Sequence, residues 1–145
     1  MPADVLIDTG AILALLDKGD PWHGLCRASI EQLSLPLLTS EAVLTEAFHL
    51  VGQARPKVEA AWTFVRSGAV LLGAIEHHEL PYIHALMTRY WDCPMDFADA
   101  TLVYLATRES ISTVLTIDQD DFATYRIGAK RQFNILPLER PRRRM

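Results

Sequence analysis

Val5-Leu6-Ile7-Asp8-Thr9-Gly10 is the stretch on which the fold turns. Apolar residues run without alternation, stop at a carboxylate, and give way to a helical pattern from Gly10. Such a run predicts a short strand buried on both faces, as in a parallel sheet. The arrangement recurs at Ser112–Ile117, STVLTI, which stops at Asp118. Three more apolar runs read as strands: Pro36–Ser40 (PLLTS), Ala69–Ile75 (AVLLGAI) and the weaker Phe133–Leu138 (FNILPL). Helical patterns separate them. One extends from Gly10 to about Leu35 with a break near Gly19-Asp20-Pro21, and the next, EAVLTEAFHLV, stops at Gly52. A third starts at Pro56, which suits a first helical turn, and ends near Gly68. The last two run from His77 to Tyr90 and onward from Asp96. Strands alternating with helices imply right-handed crossovers. The expected class is therefore α/β, a Rossmannoid three-layer sandwich with about five mainly parallel strands flanked by helices.

The bulk properties agree with one globular domain. The chain has 145 residues, half of them apolar and 22% charged. No apolar run reaches the roughly 18 residues of a membrane span. The start, MPADVLIDTG, has an early acid and no basic segment, unlike a secretory leader. Cys26 and Cys93 lie far apart with no CxxC, so a disulfide framework or a zinc site is not expected and the cytoplasm is the expected compartment. Net charge is −4, unevenly spread. Seven of the fourteen Lys and Arg are Arg126, Lys130, Arg131, Arg140, Arg142, Arg143 and Arg144, opposed only by Glu139. An acidic body with a basic end suits a polyanion or an acidic protein partner, or a solvated terminus. Residues 1–138 are expected to form the domain and 139–145 a basic tail.

The chemistry points to acids. Asp8 and Asp118 follow strands that a parallel sheet would end at one edge, where such sheets bind ligands. Each could instead cap the helix or turn that follows. On the helix through EAVLTEAFHLV, Glu46 stands at the rim of an apolar arc of Val43, Leu44, Ala47, Phe48, Leu50 and Val51. A carboxylate there is costly unless it is paired or reaches water. In CPMDFADATLVYLA (Cys93–Ala106), Asp96 reads as a helix N-cap, and Asp99 falls three residues later, as in a capping box. That account leaves room for a second role for Asp99. Four carboxylates from four separate segments, able to meet at one edge, repel and raise one another's pKa. A hard divalent cation, Mg²⁺ or Mn²⁺, resolves this through oxygen ligands, orients a water and offsets charge on a phosphate. Thr9 and Thr116 can supply hydroxyls to the carboxylates.

At these residues the chain resembles the PIN-domain ribonucleases, most closely VapC-type toxins of toxin–antitoxin pairs. The matching stretches are VLIDTGAILALLDKGDPWH, LLTSEAVLTEAFHLV, CPMDFADATLVYLA and VLTIDQDDFATYR, with FNILPL as the last strand. The resemblance implies that Asp8, Glu46, Asp99 and Asp118 form the catalytic acidic quartet. It assigns Mg²⁺ or Mn²⁺ to Asp8, Asp99 and Asp118. Thr9, Asp96, Thr116 and Asp121 would support them. It also implies RNA as substrate, phosphodiester hydrolysis, a homodimer, and a small cognate antitoxin that reaches the site, often with an arginine. Arg126, Arg142, Arg143 and Arg144 are the expected contacts to the RNA backbone.

Other residues carry less. His23, His49, His77, His78 and His84 are expected at the surface, with Trp22 and His23 in a loop near the site rim or the dimer. Trp62, Tyr82 and Tyr90 are expected to pack rather than stack on bases. A phosphate-receiving regulator would need an acid after the third strand, where Gly73-Ala74-Ile75 stands, and an aspartate-nucleophile phosphatase would need one at Gly10. Two rivals keep the fold: a nuclease of RNA processing, and an inactive module that binds RNA or protein.

Overall fold

The computed structural model describes residues 3–128 and 130–142. From the N-terminus, β1 (Val5–Ile7) leads into α1 (Thr9–Leu16) and α2 (His23–Glu31). Next come β2 (Leu37–Thr39), α3 (Glu41–Val51), α4 (Arg55–Arg66) and β3 (Val70–Leu72). A single 3₁₀ turn (His77–Glu79) precedes α5 (Leu80–Arg89) and α6 (Phe97–Glu109). The chain closes with β4 (Thr113–Leu115), α7 (Gln119–Thr124), the strand pair β5 (Arg126–Ile127) and β6 (Arg131–Gln132), and β7 (Asn134–Leu136).

Five strands form one sheet in the order β3-β2-β1-β4-β7, all parallel. β1 is central and wholly buried, as its unbroken apolar run requires. The α/β class, the five strands and their flanking helices agree with the reading of the sequence. Local chemistry explains the helix starts. Ser40 caps α3 by accepting from Val43 N–H at 3.2 Å, and Asp96 caps α6 by accepting from Asp99 N–H at 2.8 Å. Pro56 sits in the first turn of α4. Gly52, at φ 85°, ends α3 in a conformation that glycine tolerates best.

Four expectations need correction. β3 is an edge strand and exposes Leu71 and Leu72, so burial on both faces does not extend to it. Leu50 is 58% exposed, because the core face of α3 is narrower than its apolar arc and centres on Val43 and Ala47. The helix expected from His77 begins as a 3₁₀ turn, where Glu76 and Glu79 form a reciprocal capping box and Pro81 opens α5. α7 and the β5–β6 pair were not foreseen, since both are too short for a periodic pattern.

One acid outside the sheet edge shows what a satisfied carboxylate looks like here. Glu79 accepts from Glu76 N–H at 2.7 Å, from the Tyr104 hydroxyl at 2.8 Å and from Arg108 at 2.9 Å. Those bonds, the backbone one first, hold its carboxyl down at about 2. They also clip the 3₁₀ turn to α6, with Arg108 reaching the Ala74 carbonyl at 2.6 Å.

Candidate active site

The parallel register sets Ile7 beside Leu115, so the residues that follow each strand emerge together. Asp8 N–H donates to the Leu115 carbonyl at 3.1 Å. Asp8 is both the N-cap of α1 and a buried acid, only 2% exposed. Its Oδ1 accepts from Thr9 N–H at 2.8 Å and its Oδ2 from the Thr116 hydroxyl at 2.9 Å. Thr116 Oγ1 in turn accepts from Asp118 N–H at 3.0 Å, so one hydroxyl links both strand-end acids. Close approach of the two segments depends on Gly10, since a Cβ built there would lie 2.4 Å from Ile117 Cγ1.

α3 starts at the same edge, one residue after β2, and carries Glu46 on its second turn. The beginning of α3 is pinned to α6 by a buried hydrogen bond between Ser40 Oγ and Thr101 Oγ1 at 2.7 Å. α6 brings Asp99 in its first turn, buried, with its Oδ2 accepting from the Tyr125 hydroxyl at 3.1 Å. Asp96 and Asp118 are exposed at the rim, as is Asp121 in the first turn of α7.

The electrostatics tie these acids into one group. Burial pushes Asp8 up to about 7, and the charges that raise it further are Asp118 and Glu46. Burial pushes Asp99 up to about 8, helped by Asp8 and Asp96. Asp118 is raised by partial loss of solvent first and then by Asp121, Asp96 and Glu46. Among the described residues, none of the quartet forms an ion pair; the pairs are Arg27–Glu31, His78–Glu76, Arg108–Glu79, Arg108–Glu109 and Arg140–Asp120. Glu79 has a cation, and Asp8 and Asp99 have none among the described residues. All-oxygen, anionic donors of this kind fit a hard divalent cation. Among the described residues, no three acidic, His or Cys side chains already stand in ligating arrangement around one point.

None of the described basic residues forms an ion pair with these acids. Arg126 donates to the carbonyls of Ala123, Thr124 and Tyr125 at 2.7, 3.0 and 3.0 Å, closing the C-terminal end of α7. Arg142 is exposed, and Arg143 and Arg144 lie outside the described residues. His49, His77, His78 and His84 are exposed, whereas His23 is half-buried, its Nδ1 2.7 Å from the Ala14 carbonyl. Trp62 packs on Phe48, Tyr82 stacks on Tyr104, and Tyr90 is buried against Tyr125. Tyr125 and Gln119 were missed by the sequence reading. Gln119 is buried and donates to the Pro137 carbonyl at 2.8 Å, tying α7 to the end of β7. Neither has a signal in the sequence, since their roles depend on partners 18 and 26 positions away.

A parallel α/β sheet whose carboxyl edge gathers carboxylates with no ion-pair partner among the described residues is the arrangement of a known class of domain. Residues 5–128 match the PIN domain, and the chain belongs to that family. It is 31% identical over 136 residues to Ribonuclease VapC26 of Mycobacterium tuberculosis, covering 92% of this chain and all of that protein. Its fold is similar to that of Mycobacterium tuberculosis VapC20, a sarcin-ricin loop cleaving toxin, with TM-score 0.70 at 22% identity over 81% of this chain and 92% of the other. It is also similar to PAE2754 from Pyrobaculum aerophilum, with TM-score 0.53 at 19% identity over 85% and 86%.

Proposed function

We propose that this chain is a metal-dependent endoribonuclease, hydrolysing RNA phosphodiester bonds as the toxin of a toxin–antitoxin pair. The observation that carries the reading is the cluster of Asp8, Glu46, Asp99 and Asp118, in which Asp8, Asp99 and Asp118 are raised by burial and by neighbouring acids, with no cation paired to any of the four among the described residues. Family membership and the likeness to Ribonuclease VapC26 support the nuclease class, and the toxin role is the finer step of this proposal. Asp8, Asp99 and Asp118 would hold Mg²⁺ or Mn²⁺. When bound, the cation offsets the carboxylates and the charge that develops on the phosphate. Asp99 or Glu46 takes the proton from the attacking water, and Thr9 and Thr116 keep Asp8 in place. Asp96 and Asp121 add negative charge at the rim. Arg126 and the tail residues Arg142, Arg143 and Arg144 hold the RNA backbone. Residues 1–138 act as the catalytic domain and 139–145 as the basic extension. The working form is a cytoplasmic homodimer held inactive by a small antitoxin.

The test is RNA cleavage with Mg²⁺ or Mn²⁺, with EDTA, and with Asp8→Asn and Asp99→Asn. EDTA and each substitution are expected to abolish cleavage while the circular dichroism spectrum is unchanged. Full activity in both variants sinks the reading. Toxin and processing roles separate on a second measurement. Expression of the chain should arrest growth, and a short reading frame just upstream should relieve the arrest.

A further inference from the structure

Tyr125 is 0% exposed, yet its hydroxyl is spent on a single side chain, Asp99. The ring is held from two sides. Tyr90 meets it edge-on with centroids 5.1 Å apart, and Phe122 does so at 5.3 Å. Its backbone is held as well. Tyr125 N–H donates to the Asp121 carbonyl at 3.1 Å, its carbonyl accepts from Arg126 at 3.0 Å, and Arg126 N–H donates to the Tyr90 hydroxyl at 2.9 Å. Burial and the neighbouring Asp99 both raise the phenol, so it stays protonated and acts as a donor.

The receiving end is as defined. Asp99 Oδ2 takes the phenol, and Oδ1 takes no hydrogen bond from a described residue. No fully buried side-chain oxygen among the described residues lacks a partner, so Oδ1 keeps access to solvent. The charge acting most strongly on Asp99 is Asp8. We propose that Tyr125 is a positioning residue of this site: its hydroxyl fixes Asp99 Oδ2 and so presents Oδ1 to the ion and water held by the acids. The assignment rests on the ribonuclease reading above. A phenol suits the task, because a buried aromatic ring has two torsions and both are locked here by packing. An arginine or lysine at the same place would cancel the negative charge that the ion needs. A neutral donor orients the carboxylate and leaves its charge intact.

Tyr125→Phe keeps the ring and deletes the donor. Removing an outer partner of a metal-holding side chain typically costs about 10- to 100-fold in metal affinity or activity. The expected result is a loss of that order in kcat and in Mn²⁺ affinity measured calorimetrically without RNA, with KM for RNA unchanged. In an Asp99→Ala background the same substitution is expected to change Mn²⁺ affinity no further. Wild-type kcat and Mn²⁺ affinity in Tyr125→Phe, alongside loss of both in Asp99→Ala, overturn the tether and leave the ribonuclease reading standing. A wild-type chain that binds no Mn²⁺ overturns both. If Tyr125→Phe does not fold, the ¹³Cζ resonance of Tyr125 is followed in the full chain instead. It is expected to shift in Asp99→Ala, and an unmoved resonance overturns the tether.

Discussion

Thr116 Oγ1 donates to Asp8 Oδ2 at 2.9 Å across 108 positions of sequence, and this bond joins the first half of the acid cluster to the second. The same oxygen receives Asp118 N–H at 3.0 Å, so the hydroxyl has one proton to give and gives it to Asp8. A carboxylate held this way keeps its orientation without a cation beside it.

Thr116→Val preserves volume and removes both bonds. Leaving Asp8 Oδ2 and Asp118 N–H unmet is expected to cost about 1–3 kcal/mol in denaturant unfolding. RNA cleavage is expected to fall about 10- to 100-fold as Asp8 loses its orientation. Thr116→Ser, which retains the hydroxyl, should recover most of both. Equal stability of the wild type and Thr116→Val would show that the bond does not form in solution.

The raised acids make stability depend on pH in a definite direction. Asp8 and Asp99 rise from 3.8 to about 7 and about 8. The folded chain therefore keeps protons that the unfolded chain releases. Their contribution is fully present below the unfolded value and is lost as pH rises through the folded ones. Thermal midpoints of the metal-free chain are expected to drop between about pH 5 and about pH 8, and Asp8→Asn should flatten that slope. Mn²⁺ should raise the midpoint most at the alkaline end, where the ligands are ionised. A midpoint that climbs over this interval in wild type and not in Asp8→Asn contradicts the assignment.

Gly10 is a packing constraint on the site. Any Cβ at this position would meet Ile117 Cγ1 at 2.4 Å and Cδ1 at 2.6 Å. Gly10→Ala is expected to destabilise by about 1–3 kcal/mol, since the helix start and the loop after β4 must separate. Ile117→Ala removes both of those atoms, so the double variant should lose less than the sum of the two single losses. Strictly additive losses in a double-mutant cycle would place the effect elsewhere.

The basic tail is tested by salt. Deleting 139–145 is expected to weaken binding of uncleaved RNA to an Asp8→Asn chain most at low ionic strength. The slope of log affinity against log salt should become shallower by about one for each phosphate that the tail neutralises. An unchanged slope assigns the tail no role on the RNA backbone. Arg126→Ala should in addition lower the thermal midpoint, since its guanidinium also closes α7.

Much of this molecule is readable along the chain. Val5–Ile7 and Thr113–Leu115 announce themselves as buried strands because apolar residues cannot alternate where both faces are covered. Asp96 announces the start of α6 because an N-cap acts on its own next turn. The placement of the four acids was legible for the same reason, since each sits at a strand end or a helix turn that local rules locate. What only the tertiary structure decided depends on distance through space. Leu50, Leu71 and Leu72 look like core residues and face outward, because burial depends on what packs against an element. Tyr125 looks like one more aromatic in a short helix, and only the fold sets its hydroxyl 3.1 Å from Asp99. The acids themselves are ordinary in sequence. Asp8 and Asp99 are raised because burial removes water and brings like charges together, and neither effect exists until the chain has folded.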